Sequence, residues 1–206
     1  MDILEGLNKI NWSQLHHAYG DASNVPILIR KLLSQDECER NEAEQDLFNC
    51  ICHQGTIWEA TSYAVPFLWE LIKSPETPDK LKIVFLLASF GIGRHSFHGI
   101  LEDEKRRQTW TGIMAKSGKI LEDEVKKGQA YEEAIHLSIA KEFSLFYPYL
   151  FDDLYAIRDR VAHVFQEYPE FRIETLPLLE KALASENNIY AKKTMENSKK
   201  ILSEME

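Results

Sequence analysis

The stretch VPFLWELIKSPE, residues 65–76, decides the reading of the fold because the chain repeats it. VPILIRKLLSQD from Val25 and LPLLEKALASEN from Leu176 lay over it: an apolar residue, proline, any residue, leucine, two further helical turns, and a polar stop. In the first copy Val25, Leu28, Ile29 and Leu32 fall at i, i+3, i+4 and i+7, and in the second Val65, Leu68, Trp69 and Ile72 do the same. That spacing is one apolar stripe along a helix. FSLFYPYLFDD from Phe143 is a weaker fourth copy, with its proline, Pro148, set later.

Each copy has a helical partner. ERNEAEQDL from Glu39, LKIVFLLAS from Leu81 and IRDRVAHVF from Ile157 share a basic residue at the second place, Arg40, Lys82 and Arg158. They share an apolar residue at the fifth, Ala43, Phe85 and Val161. The basic positions are 42 and then 76 residues apart, and 76 is twice 38. A period of about 40 residues made of two helices is the signature of HEAT-type repeats. One helix pair cannot bury its apolar face alone, so neighbours stack into a continuous core. The expectation is an all-α fold: a HEAT-like α-solenoid of about four to five antiparallel helix pairs, one domain over 1–206. IVFLLASF at 83–90 reads as a central helix. The narrow stripe Ala191, Met195, Ser198, Leu202 and Met205 reads as a capping helix over about 188–205. Between Lys82 and Arg158 one repeat is eroded. Residues 91–118 hold five glycines and no clear stripe, and are expected to form an irregular insert.

The joint before the second copy is CHQGTIWEAT, residues 52–61. Gly55 can end a helix in the left-handed conformation. Thr56 and Glu59 then read as a capping box that starts the next helix. Pro66 falls inside that helix, whereas Pro26 and Pro177 are expected near the starts of theirs. His53, Gln54 and Trp58 have no part in this account. The equivalent turn one repeat earlier carries His16, His17, Ala18, Tyr19 and Gly20. Equivalent loops of stacked repeats are neighbours. His17, Tyr19, His53, Gln54 and Trp58 are therefore the candidate binding residues, forming one polar-aromatic rim. Trp110, in the basic-aromatic island KRRQTWTG, is a further candidate, since aromatics and arginines are enriched at binding hot spots.

Chemistry finds little foothold. Cys50 and Cys52 are two apart and point to different sides of a helix, which does not suit a zinc site. His95 and His98 have acceptable spacing, but no clear carboxylate or thiol completes the set. There is no nucleophile elbow, and GIGRHSFHG lacks the lysine of a phosphate loop. Neither a metal, a cofactor nor catalysis is expected.

Net charge is −9, and acids outnumber Lys and Arg in both halves, 13 to 8 over residues 1–100 and 20 to 16 over 101–206. Nucleic-acid binding needs the opposite balance. The expected partner is another protein, a basic one being electrostatically easiest. No apolar run is long enough for a membrane span. The start has an acid at position 2 and no basic region, and the three cysteines fit reduced thiols, so a cytoplasmic location is expected.

Three segments carry a resemblance. WxxLHHAYG at 12–20, HQGTIWEAT at 53–61 and AVPFL at 64–68 are similar to a group of bacterial HEAT-repeat proteins of unknown function. The match covers about the first 90 residues and supplies no catalytic residue. It implies a protein-interaction role, of regulatory or immunity type in some relatives. The alternative is a HEAT-fold enzyme acting on DNA, as alkylpurine glycosylases do, or on a small molecule.

Overall fold

The computed structural model describes residues 4–205; residues 1–3 and Glu206, and with them the acid at position 2 and the outermost ends of the expected domain, lie outside the described residues. The fold is all-α apart from two minimal hairpins. The α-helices are α1 (Val25–Lys31), α2 (Glu37–Ile51), α3 (Glu59–Lys73), α4 (Lys80–Ile92), α5 (Glu104–Lys116), α6 (Leu121–Ala140), α7 (Tyr155–Gln166), α8 (Arg172–Leu183) and α9 (Ile189–Glu204). The hairpins pair β1 (His16–His17) with β2 (Gly20–Asp21), and β3 (Cys52–His53) with β4 (Thr56–Ile57). No helix among the described residues is long and apolar enough to cross a membrane.

The apolar stripes do what their spacing dictates. Val25, Leu28, Ile29 and Leu32 are all buried, as are Val65, Leu68, Trp69 and Ile72. The helices pack in two rows. In one, α2 touches α4, α4 touches α7, and α7 touches α9. In the other, α1 packs on α3; α3 meets the segment Phe143–Phe151 through Trp69 and Phe146, whose ring centroids are 5.3 Å apart; and that segment packs on α8. The rows join as α1 with α2, α3 with α4, Phe143–Phe151 with α7, and α8 with α9. α6 lies against both α3 and α4. In α9, Ala191, Met195, Ser198 and Leu202 are buried, and Met205 is exposed just past its end.

The basic residues at the second place of the partner helices share a task. Arg40 donates to the carbonyl of Ser34 at 2.8 Å, and Arg158 donates to the carbonyl of Asp152 at 2.7 Å, each six residues back in the loop that precedes its helix. Lys82 reaches Asp79 instead, at 3.6 Å. Arg158 also grips both carboxylate oxygens of the buried Glu186, at 2.6 and 2.8 Å. This ties α7 to the loop between α8 and α9.

Four local expectations are corrected. Thr56 does not cap α3: it sits in β4, and the helix starts at Glu59 with Trp58 as its N-cap. Thr61 does the capping work, accepting from the Trp58 amide at 3.0 Å and donating to the Ile51 carbonyl. The segment at Phe143 is a 3-10 helix, Phe143–Phe151, because Pro148 removes a backbone donor and disfavours α geometry just before it. Pro177 is interior to α8, which begins at Arg172, so two copies extend their helix ahead of the proline. Finally, residues 104–116 of the expected irregular insert form α5.

Candidate functional site

The two hairpins build the rim. In the second, Gln54 and Gly55 take φ of 52° and 81° between the paired His53 and Thr56. Two successive left-handed residues make a two-residue loop of type I′, which matches the twist of the flanking strands. The first hairpin closes around Ala18 and Tyr19, with His17 opposite Gly20. The Ala18 amide donates to the Cys50 carbonyl at 2.9 Å, which docks this turn on the end of α2. The second hairpin is bridged in turn to the segment after α4. The Ile57 amide donates to the Arg94 carbonyl at 3.0 Å, and the Arg94 amide donates to the Gly55 carbonyl at 3.1 Å.

The structure therefore brings the predicted turns together. Tyr19 Oη and His53 Nδ1 are 3.1 Å apart, and their rings meet edge to face at 5.4 Å. Tyr19 is 67% exposed. His17 is buried beneath it: Nδ1 accepts from the Tyr19 amide at 3.0 Å, so the proton sits on Nε2 and is donated to Asn24 Oδ1, also at 3.0 Å. His17 thus fixes the turn while Tyr19 and His53 present it, with Gln54 exposed at the tip. Trp58 lines a cavity of about 860 Å³ together with His17, His16, Glu59, Tyr63 and Tyr131, and its buried Nε1 has no partner among the described residues. Burial pushes the Tyr131 phenol up to about 12. Trp110 does not join the rim. It stands on α5 and packs edge to face on Phe97, centroids 5.4 Å apart.

A second cavity, of about 640 Å³, opens between the turn after α4, α6 and the end of α7. Among the described residues, three histidines, four glutamates and one arginine line it. His95 is almost fully buried, and its backbone amide donates to Glu132 Oε2 at 3.1 Å. His95 Nε2 lies 3.8 Å from Glu132 Oε2, and the exposed His98 places Nδ1 3.6 Å from Glu132 Oε1. Burial holds His95 below the ordinary histidine value, against the pull of the Glu132 carboxylate. Arg94 pairs with both Glu132 and Glu167. His136 stacks flat on Tyr168 at 4.3 Å and bonds Glu170 at 2.8 Å. The Tyr168 hydroxyl is buried without a partner among the described residues, and burial drives its pKa far above the tyrosine range.

Sequence reasoning missed Glu132. It supplies the carboxylate that His95 and His98 lacked, 37 residues beyond His95 and on another element. The available signal concerned only its partner: His17, His53 and His95 recur at spacings of 36 and 42 residues. Cys50 and Cys52 are buried thiols pushed up to about 12 by burial, protonated and inert at neutral pH. Comparison of the chain with protein-family models, with curated proteins and with solved structures finds no match.

Proposed function

We propose that this chain is a HEAT-like α-solenoid that serves as a non-catalytic protein-binding scaffold of regulatory or immunity type, and that its partner docks on the hairpin rim. One observation carries the reading: Tyr19 and His53, from equivalent turns of successive helix pairs, meet at 3.1 Å with Tyr19 largely exposed. The turn is pinned by His17 below and by the Cys50 carbonyl behind. A rigid exposed aromatic loses little conformational entropy on binding, which is the character of a hot spot. The two helix rows and the shared role of Arg40 and Arg158 support the repeat. A net charge of −9 favours a basic partner.

The test is comparative capture. Wild type, Trp110→Ala, and Tyr19→Ala with His53→Ala are immobilised and exposed to lysate of the source cells, and bound proteins are identified by mass spectrometry. One protein should be held by wild type and by Trp110→Ala, and lost from the double variant. Equal retention of that protein on the double variant removes the rim from the reading.

A second reading, a HEAT-fold enzyme acting on a small molecule, is favoured by the cavity that gathers His95, His98 and His136 with Glu132 and Glu133. Action on DNA has less support, because four glutamates line that cavity and its arginine, Arg94, is already paired.

A further inference from the structure

We propose that His95 Nε2, His98 Nδ1 and a Glu132 carboxylate oxygen bind a divalent transition-metal ion of the zinc type, with one coordination position left open toward the cavity. This inference stands apart from the partner-binding reading and uses none of the rim residues.

Four observations converge on it. The first is the donor set. The three donor atoms lie within 4.8 Å of one another, and two imidazoles with one carboxylate suit zinc and its neighbours rather than calcium or magnesium. The second is spacing. Bonds of about 2.0–2.2 Å in a tetrahedron set ligand atoms about 3.3 Å apart. Glu132 stands between the two rings, with Oε1 3.6 Å from His98 Nδ1 and Oε2 3.8 Å from His95 Nε2. Closing the set from within 4.8 Å needs a rotation of the Glu132 carboxylate and a swing of the exposed His98 side chain. The third is construction. A Cβ on Gly128 would stand 2.3 Å from His95 Nδ1, so the absence of a side chain on α6 is what admits the ring. The fourth is the surroundings. Glu132 is held by the His95 amide and by Arg94, whose charge Glu167 also meets, and the cavity wall carries two further glutamates, Glu102 and Glu133, which favour a cation.

Loading the ion has a definite cost. The Phe97 amide donates to His95 Nδ1 at 3.3 Å, which leaves the ring proton on Nε2, facing Glu132. Coordination through Nε2 moves that proton to Nδ1. The Phe97 amide then loses its acceptor, and the new Nδ1–H faces that donor, so the turn at Phe97 must shift to admit the ion. Three protein ligands with a cavity on the fourth side is the form of a site that takes water or an anion, rather than the closed form of a structural zinc. The unpartnered Tyr168 hydroxyl and His136 line the same cavity and supply hydrogen-bonding groups for such a ligand.

The experiment titrates the full chain, stripped by chelator and checked by circular dichroism, with zinc alone in a calorimeter, and with cobalt as a spectroscopic substitute. One ion per chain is expected, and the cobalt form should show the intense visible bands of a tetrahedral centre. His98→Ala removes a surface ligand without touching the core, and should weaken binding about 100-fold or more, beyond the 10–100-fold typical of supporting groups. Glu132→Gln should weaken it similarly, while His53→Ala should bind as wild type does. Binding by His98→Ala at wild-type strength overturns the proposal. So does loss of binding in His53→Ala with retention in His98→Ala, which puts the ion on the rim. An octahedral cobalt spectrum overturns the stated geometry.

Discussion

α4 and α5 are helices of thirteen residues each, and they stand on different physics. Eight residues of α4 are buried, and none of α5. α4 is IVFLLASF-rich and wedged between α3, α2, α6 and α7; α5 touches only α6 in any depth. Yet α5 forms, because its ends are written correctly. Asp103 accepts from the Arg106 amide at 3.0 Å as an N-cap. Gly118, with φ of 69°, closes the other end: the Lys119 amide donates to the Met114 carbonyl at 3.0 Å, and the Gly118 amide to the Ala115 carbonyl at 3.1 Å. That is a Schellman motif, which needs the left-handed residue glycine allows. Tertiary burial makes one helix, and local capping makes the other.

The contrast between the two helices is most open to attack at Phe90. Phe90→Ala in α4 should cost about 4 kcal/mol, since it empties a fully buried ring position. Trp110→Ala in α5 should cost about 1 kcal/mol, the scale of one aromatic pair. Urea midpoints measure both, and equal losses would show that α5 belongs to the same cooperative core. Next in size is the Arg158–Glu186 clasp. Glu186→Gln should destabilise by about 3 kcal/mol, because it takes the carboxylate from a largely buried guanidinium and leaves it the Asp152 and Asp153 carbonyls. Hydrogen bonds from Arg158 hold the Glu186 carboxyl below its ordinary value of 4.5. Its contribution is therefore complete above about pH 4.5 and lost as pH falls through the lower folded value. The gap between wild type and Glu186→Gln should narrow in acid, and a gap constant with pH would refute the assignment.

Smaller still is the joint before α3. Thr61→Ala should cost about 1–2 kcal/mol, through the lost cap and the stranded Ile51 carbonyl. Thr56→Ala should stay within about 0.5 kcal/mol, as a half-exposed hairpin position. The reverse order would restore the cap to Thr56. Smallest globally is Gly118→Ala. It should cost about 1 kcal/mol within α5 and leave the global midpoint in place. Hydrogen exchange reads it: amides at 104–116 should exchange faster than those at 83–90, faster again in the variant, and equal protection of the two helices would end the contrast.

These particulars also mark what the sequence could disclose. The stripes at Val25 and Val65 were legible because burial on one face forces a 3.6-residue period. α5 was missed because an exposed helix has no such stripe, although Asp103 and Gly118 were there as caps. The hairpins were missed because strands of two residues have no alternation to read. Thr56 and Thr61 each offer a hydroxyl near the joint, and only the paired β3 and β4 backbone decides between them. The meeting of Tyr19 with His53 was legible in outline, because the two turns carry similar polar and aromatic residues. Glu132 was not, because its tie to His95 crosses from one helix turn to another through packing alone.

The main-chain bridges that link successive turns have a mechanical consequence. Ala18 to Cys50, Gly55 to Arg94 and Ile57 to Arg94 run backbone to backbone along the histidine-bearing edge. Elsewhere neighbouring helices are held by side chains, by packing in the core and by surface pairs such as Lys73 with Glu142. Peptide groups have no rotamers to exchange, whereas side-chain tips re-form at slightly different lengths. Bending of the helix rows should therefore pivot about the bridged edge, as a book opens about its spine. The Tyr19–His53 shelf would then keep its shape while the remainder flexes.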